Sequence, residues 1–158
     1  MNVKPKQNMR GCDRVVETLE QLGIDTVFGI PGIHNLDIYD ALLPSEIRHV
    51  AARHEQGAGF MADGYARRSG RPGVALVITG PGLTNIATPM GEAMHDSVPM
   101  LVISSQIPRE VLHAGTGYLH ELAESTRLAS SVAKASYRVR ETNNIGTTLR
   151  RAYAEATS

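Results

Sequence analysis

The chain has 158 residues, enough for one ordinary α/β domain, and its 42% apolar content allows a full hydrophobic core. Lys+Arg and Asp+Glu balance at sixteen each, which gives no electrostatic footprint for nucleic acid or an anionic membrane surface. A single cysteine, Cys12, excludes a disulfide framework and a Cys-based zinc site, and reads as a small buried hydrophobe.

Residues 1–10 are polar, carry Lys4, Lys6 and Arg10, and read as a flexible tail; no apolar stretch follows that would make a secretory signal or a membrane span. The expectation is a soluble cytoplasmic protein. Val15, Val16, Leu19 and Leu22 share one helical face, closed by Gly23. Thr26-Val27-Phe28 predicts a short strand broken by Gly29-Ile30-Pro31-Gly32. A helix over about 35–42 stops at Pro44, and 47–51 predicts a second strand. Residues 55–69 predict a helix, with Ala58, Met61, Ala62 and Tyr65 on one face and Gly70 as its stop. The unbroken apolar run 74–78 predicts a strand buried on both faces. After the Thr79-Gly80-Pro81-Gly82 turn come a helix over about 83–94 and a buried strand over 100–103. A Gly-rich loop, a helix over 121–131, an edge strand over 135–139 and a last helix with Ile145, Leu149, Ala152, Tyr153 and Ala156 on one face are expected in the remainder.

Strands alternating with helices predict an α/β three-layer sandwich, a parallel sheet with helices on both faces, in one domain over 11–158. Ligands of such sheets bind outside the carboxyl ends of the strands. The turns at 29–32 and 80–82 and the polar stretch 104–120 all follow strands and gather at that edge. With no Trp and only two Phe, the chain supplies one wall of a small-molecule pocket rather than all of it.

Several familiar sites are excluded. Gly80-Pro81-Gly82-Leu83-Thr84-Asn85 has Asn where a dinucleotide fingerprint needs a third glycine, and no acid stands near Ser104 to hold a ribose. His54-Glu55 lacks a second His one turn on, and neither a nucleophile elbow nor a P-loop occurs. The remaining unusual cluster is Arg53-His54-Glu55-Gln56-Gly57-Ala58-Gly59. Glu55 there is either a carboxylate stabilised by its helix dipole or a functional acid. Gly in a helix costs about 1 kcal/mol relative to Ala. A helix start rich in small residues therefore suggests a close neighbour, whether another helix or a ligand.

Five blocks carry a resemblance: Phe28-Gly29-Ile30-Pro31-Gly32; Arg53-His54-Glu55-Gln56-Gly57-Ala58; Ala62-Asp63-Gly64-Tyr65-Ala66-Arg67; Thr79-Gly80-Pro81-Gly82-Leu83-Thr84-Asn85; and Asp96-Ser97-Val98-Pro99-Met100. In order and spacing they resemble the N-terminal, pyrimidine-binding domain of acetolactate-synthase-like thiamine-diphosphate enzymes, over about residues 11–140. The resemblance implies that Glu55 is the catalytic glutamate, bonded to N1′ of the aminopyrimidine so that the 4′-imino form takes the C2 proton of the thiazolium. It implies decarboxylation of a 2-oxo acid, with or without carboligation. It places Ile30, Pro31, Gly32, Pro81 and Asn85 beside the pyrimidine. It also implies a homodimer or tetramer whose active site forms with the diphosphate-binding domain of a neighbouring chain, which holds Mg2+. FAD, where the full enzymes carry it, lies outside this chain.

Two departures qualify the resemblance. Acetolactate synthases tend to show Phe-Gln-Glu where this chain has Leu119-His120-Glu121, so His120 is either a substrate-side candidate, hinting at a different, larger polar 2-oxo acid, or simply a loop residue. The central domain and the diphosphate-binding domain with its Gly-Asp-Gly motif are absent from the sequence. A piece of a longer enzyme and a natural small subunit of a split decarboxylase remain the two explanations. A non-catalytic dimerisation or regulatory module is the alternative outside enzymes; retention of Glu55 counts against it.

Overall fold

The computed structural model describes residues 9–158. The tail expected over 1–10 thus lies outside the described residues up to residue 8, while Arg10 precedes the first helix and pairs with Asp13 at 2.9 Å and Asp40 at 3.7 Å. Four parallel strands, β1 (Thr26–Gly29), β2 (Arg48–Ala51), β3 (Gly73–Val77) and β4 (Met100–Ser104), form one sheet in the order β2-β1-β3-β4. Helices α1 (Gly11–Gln21), α2 (Leu36–Leu42), α3 (Glu55–Ser69), α4 (Pro81–Asn85), α5 (Ala87–His95), α6 (Ser125–Ser130) and α7 (Ile145–Thr157) cover it.

Strand side chains alternate between two cores, as the pleat requires. Val27, Val74, Leu76 and Leu101 face Val15, Val16, Leu19, Leu42 and Leu149 of α1, α2 and α7. Phe28, Ala75 and Val77 face Ala58, Ala62, Leu83, Ile86 and Met90 of the helices on the other side. Every residue of β1 and β3 is buried, so the continuous apolar run that predicted a two-face-buried strand is the centre of a three-layer α/β sandwich.

Three local expectations are corrected. The single helix over 83–94 is two helices meeting at Ile86, because Pro89 has no N–H to donate to the Asn85 carbonyl. The helix over 121–131 shortens to Ser125–Ser130. Glu121 is instead a loop clasp, its carboxylate accepting from the N–H groups of Gly115 (3.0 Å), Gly117 (2.8 Å) and Tyr118 (3.1 Å). Residues 135–139 form no strand. Tyr137 is drawn to Glu155 (3.3 Å) and Arg138 to Ser125 Oγ (2.8 Å), which holds this segment against the helices rather than on the sheet.

β4 therefore pairs only with β3 among the described residues, in unbroken one-to-one register from Met100 to Ser104. A groove of about 1050 Å³ runs along its free edge, walled by the 135–141 segment and α7. No helix among the described residues is long and apolar enough to cross a membrane.

The order β2-β1-β3-β4 has one topological switch. The chain leaves β1 toward β2 on one side and returns to β3 on the other. The crevice between the carboxyl ends of β1 and β3 is where such sheets bind ligands. Gly29 of β1 lies in register with Leu76 of β3, so the turns at 30–32 and 78–82 flank that crevice side by side.

Candidate active site

The β1 turn is built by Asn35, whose place in the sequence predicts only the start of a helix. Asn35, 1% exposed, accepts from Gly32 N–H at 2.7 Å and donates to the Ile30 carbonyl at 3.3 Å. This side-chain mimic of a backbone turn locks Ile30-Pro31-Gly32 at the sheet edge. An Asn three residues after a Pro-Gly pair is the signal that could have found it.

The β3 turn is shaped by glycine. Gly80 sits at φ +63°, and a Cβ there would stand 2.5 Å from the His120 carbonyl oxygen. Gly32 and Gly82 approach Ile78 from two sides: their Cβ atoms would lie 2.6 Å and 2.7 Å from its side-chain carbons. Ile78 is thus a wedge between the two turns. Behind it, Thr79, fully buried, donates to Gln106 (3.1 Å), whose amide reaches Ser125 Oγ (3.2 Å).

Glu55 opens α3, directly after β2. His54 caps the helix by accepting the Gln56 N–H at its Nδ1 (3.2 Å), and the helix dipole favours the Glu55 carboxylate. Glu55 is half-buried. Its Oε2 accepts from Asn85 Nδ2 at 2.9 Å. Its Oε1 has no hydrogen-bond partner among the described residues and faces Gly82, whose Cβ would lie 3.6 Å away. On the inner side Tyr39 is buried and donates to the Leu76 carbonyl at 3.1 Å. Burial, with the Glu55 charge adding to it, pushes the Tyr39 hydroxyl well above its ordinary pKa of 10.0, so it stays a neutral donor.

The small residues of α3 separate into two faces. Ala58 and Gly59 are buried against α5: a Cβ on Gly59 would stand 2.3 Å from Pro89 Cγ. Gly57 and Gly64 have nothing within 4 Å, and Phe60 and Met61 beside them are 44% and 36% exposed. The close neighbour implied by the glycines is a helix on one face, and the other face is open.

The structure brings Glu55 and Asn85 into contact and sets Gly82, preceded by Pro81, against the carboxylate. The Ile30–Gly32 turn flanks them across Ile78. His120 lies on Gly80, two residues before Gly82, and its Nδ1 is fully buried with no partner among the described residues. Its backbone is left-handed at φ +64°. Among the described residues no three His, Cys, Asp or Glu side chains cluster as metal ligands do.

A parallel α/β sheet with a half-buried carboxylate at its switch point, held by a carboxamide and walled by glycine turns, has the architecture of a ligand-binding α/β domain. The chain belongs to the thiamine pyrophosphate enzyme, N-terminal TPP binding domain family, whose model matches residues 9–139. It is 48% identical over 152 residues to the probable 2-ketoarginine decarboxylase of Pseudomonas aeruginosa, covering 96% of this chain and 27% of that protein. It is 41% identical over 157 residues to the chloroplastic acetolactate synthase of Arabidopsis thaliana (98% of this chain, 23% of that protein). The acetolactate synthase of Mycobacterium bovis is 40% identical over 153 residues (96% and 24%). The chain spans about a quarter of the length of the curated relatives it matches.

Proposed function

We propose that this domain supplies the pyrimidine-side half of a thiamine-diphosphate active site that decarboxylates a 2-oxo acid, with Glu55 as the activating carboxylate. The observation that carries the reading is the Glu55–Asn85 pair: one carboxylate oxygen is fixed by the carboxamide, and the other is left free beside Gly82. That donor set suits the edge of an aminopyrimidine, which needs a carboxylate to share a proton with a ring nitrogen and bare backbone on which a flat ring can lie. Glu55 would hold that proton. Asn85 would keep the carboxylate oriented. Ile30, Pro31, Gly32 and Pro81 would wall the ring, with Ile78 as the wedge behind it. Bound thiamine diphosphate supplies the electron sink for loss of the substrate carboxylate. His120, with its unpartnered buried nitrogen, is the substrate-side group.

The open stripe Gly57-Phe60-Met61-Gly64 on α3 starts beside Glu55, which supports a second domain or chain docking there to complete the site. The diphosphate and its Mg2+ belong with that partner, and neither Mg2+ nor FAD is assigned to residues of this chain. The first reading for the product is simple release of an aldehyde, favoured by the 48% identity to a probable decarboxylase; carboligation is the second reading, favoured by the 40–41% identity to the acetolactate synthases. The test uses the full-length enzyme. Glu55→Gln keeps the volume and removes the anion, and CO2 release from 2-oxo acids should fall by at least about a hundredfold with the fold intact. Turnover at the wild-type rate would refute the assignment, and product analysis of the wild type separates aldehyde from acetohydroxy acid.

A further inference from the structure

His120 is held in a conformation that its own sequence disfavours. A left-handed backbone at a residue with a side chain costs on the order of 1 kcal/mol or more and persists only where the surroundings over-determine it. One half of that determination is local. The Glu121 carboxylate gathers the N–H groups of Gly115, Gly117 and Tyr118, and Glu121 N–H closes on the Tyr118 carbonyl at 2.8 Å. This clasp fixes the loop against itself but not against the sheet edge.

The other half comes from one distant side chain. His34 follows the Ile30–Gly32 turn and immediately precedes Asn35. Its Nε2 lies 3.2 Å from the Leu119 carbonyl. A carbonyl only accepts, so the proton of this bond sits on His34 Nε2. The His34 ring packs edge-to-face on the His120 ring, with centroids 5.3 Å apart at 71°, and tilts against Tyr118 at 6.3 Å. A single imidazole thus contacts residues 118, 119 and 120 in succession. On the far side of the loop, the His120 backbone rests on Gly80, where no Cβ fits.

We propose that His34 is the positioning residue for His120, linking the turn that walls the pyrimidine to the loop that carries the substrate-side imidazole. The inference rests on the reading of His120 as substrate-facing. His34 sets where the buried Nδ1 of His120 is presented. It does so with a ring contact and a hydrogen bond that are separable by substitution. His34→Gln retains an N–H donor and loses the ring face; His34→Phe retains the ring and loses the donor.

The test uses the full-length enzyme. His34→Ala should lower kcat/KM for the preferred 2-oxo acid about tenfold, with His34→Gln and His34→Phe each recovering part of the loss. In a His120→Ala background, His34→Ala should have almost no further effect, because a positioning residue has nothing left to position. Additive losses would show His34 to be independent of His120 and would overturn the proposal. A second measurement does not require turnover. In His34→Ala, hydrogen exchange at the amides of Gly115, Gly117, Tyr118 and Glu121 should speed up while exchange in β3 is unchanged. Unchanged exchange in the loop also overturns the proposal. If the wild type decarboxylates no 2-oxo acid yet the loop loosens as stated, the functional reading fails and the positioning role stands.

Discussion

Gly59 gives a sharp test of how α3 is seated. In an open helix, Gly→Ala stabilises by about 1 kcal/mol. At Gly59 the added Cβ would meet Pro89 Cγ at 2.3 Å, Pro89 Cβ at 2.8 Å and Ile86 Cγ1 at 2.9 Å. None of the three can swing aside: the proline ring is rigid, and Ile86 and Pro89 are both fully buried. Overpacking of this kind costs about 1–3 kcal/mol. With three contacts under 3.0 Å, the upper end applies, and the helix gain offsets only part of it. The net expectation for Gly59→Ala is a loss of about 2 kcal/mol, or a fall in Tm of about 4–8 °C for a chain of this size. Gly57→Ala and Gly64→Ala, where nothing lies within 4 Å, serve as controls and should gain about 0.5–1 kcal/mol. Urea unfolding followed by circular dichroism measures all three. A Gly59→Ala chain as stable as the wild type would mean that α3 and α5 are not packed as described. The same controls bear on assembly. If the outer stripe docks a second domain, Gly57→Ala should weaken that association while stabilising the fold.

Asn85→Asp would set a second carboxylate about 3 Å from Glu55, where like charges cannot both ionise comfortably; activity of the full-length enzyme should fall at least about tenfold, and Asn85→Ala should fall less. Equal losses would show that the carboxamide acts only by its absence. Asp25 accepts from Tyr65 Oη at 2.7 Å and pairs with Arg71, and these contacts, the Tyr65 bond foremost, hold its pKa below the usual 3.8. A depressed carboxyl stabilises the fold above its unfolded pKa and loses that contribution as pH falls through the folded value. Stability should therefore drop below about pH 4, and Asp25→Asn should flatten that part of the profile, which urea titrations from pH 6 to about pH 2 would reveal. Titration calorimetry of this chain alone with thiamine diphosphate and Mg2+ should show binding weaker than about 100 μM, since only the pyrimidine side is present; micromolar affinity would overturn the half-site reading.

Much of the fold was legible because its strongest signals are local. The all-apolar β3 run, the helix from Glu55 to the Gly70 stop and the Gly/Pro turns after β1 and β3 declare themselves within a few residues. The break at Ile86 was also legible, in Pro89, but lay inside an apolar run that a helix explained well. Residues 135–139 have strand composition without a strand partner, and pairing is a property of the neighbour rather than of the segment. The site divides in the same way. Glu55, Asn85 and the two turns lie in short blocks whose resemblance could be recognised. Asn35 and Ile78 act through contacts that no block records. His34 was invisible, because its partners stand some 85 residues away and a lone histidine before a helix carries no signal.

The edge of β4 that is unpaired among the described residues has a consequence for how the chain behaves in solution. Exposed strand edges usually repel further strands with lysine, proline or a bulge. Met100-Leu101-Val102-Ile103-Ser104 has none of these: its register is continuous, and four of its five residues are apolar with branched or long side chains. The adjoining groove leaves room for another extended segment. The last strand of the sheet is therefore a template kept covered by the 135–141 segment and α7, and displacing that cover should let the chain self-associate along it while the two cores stay folded.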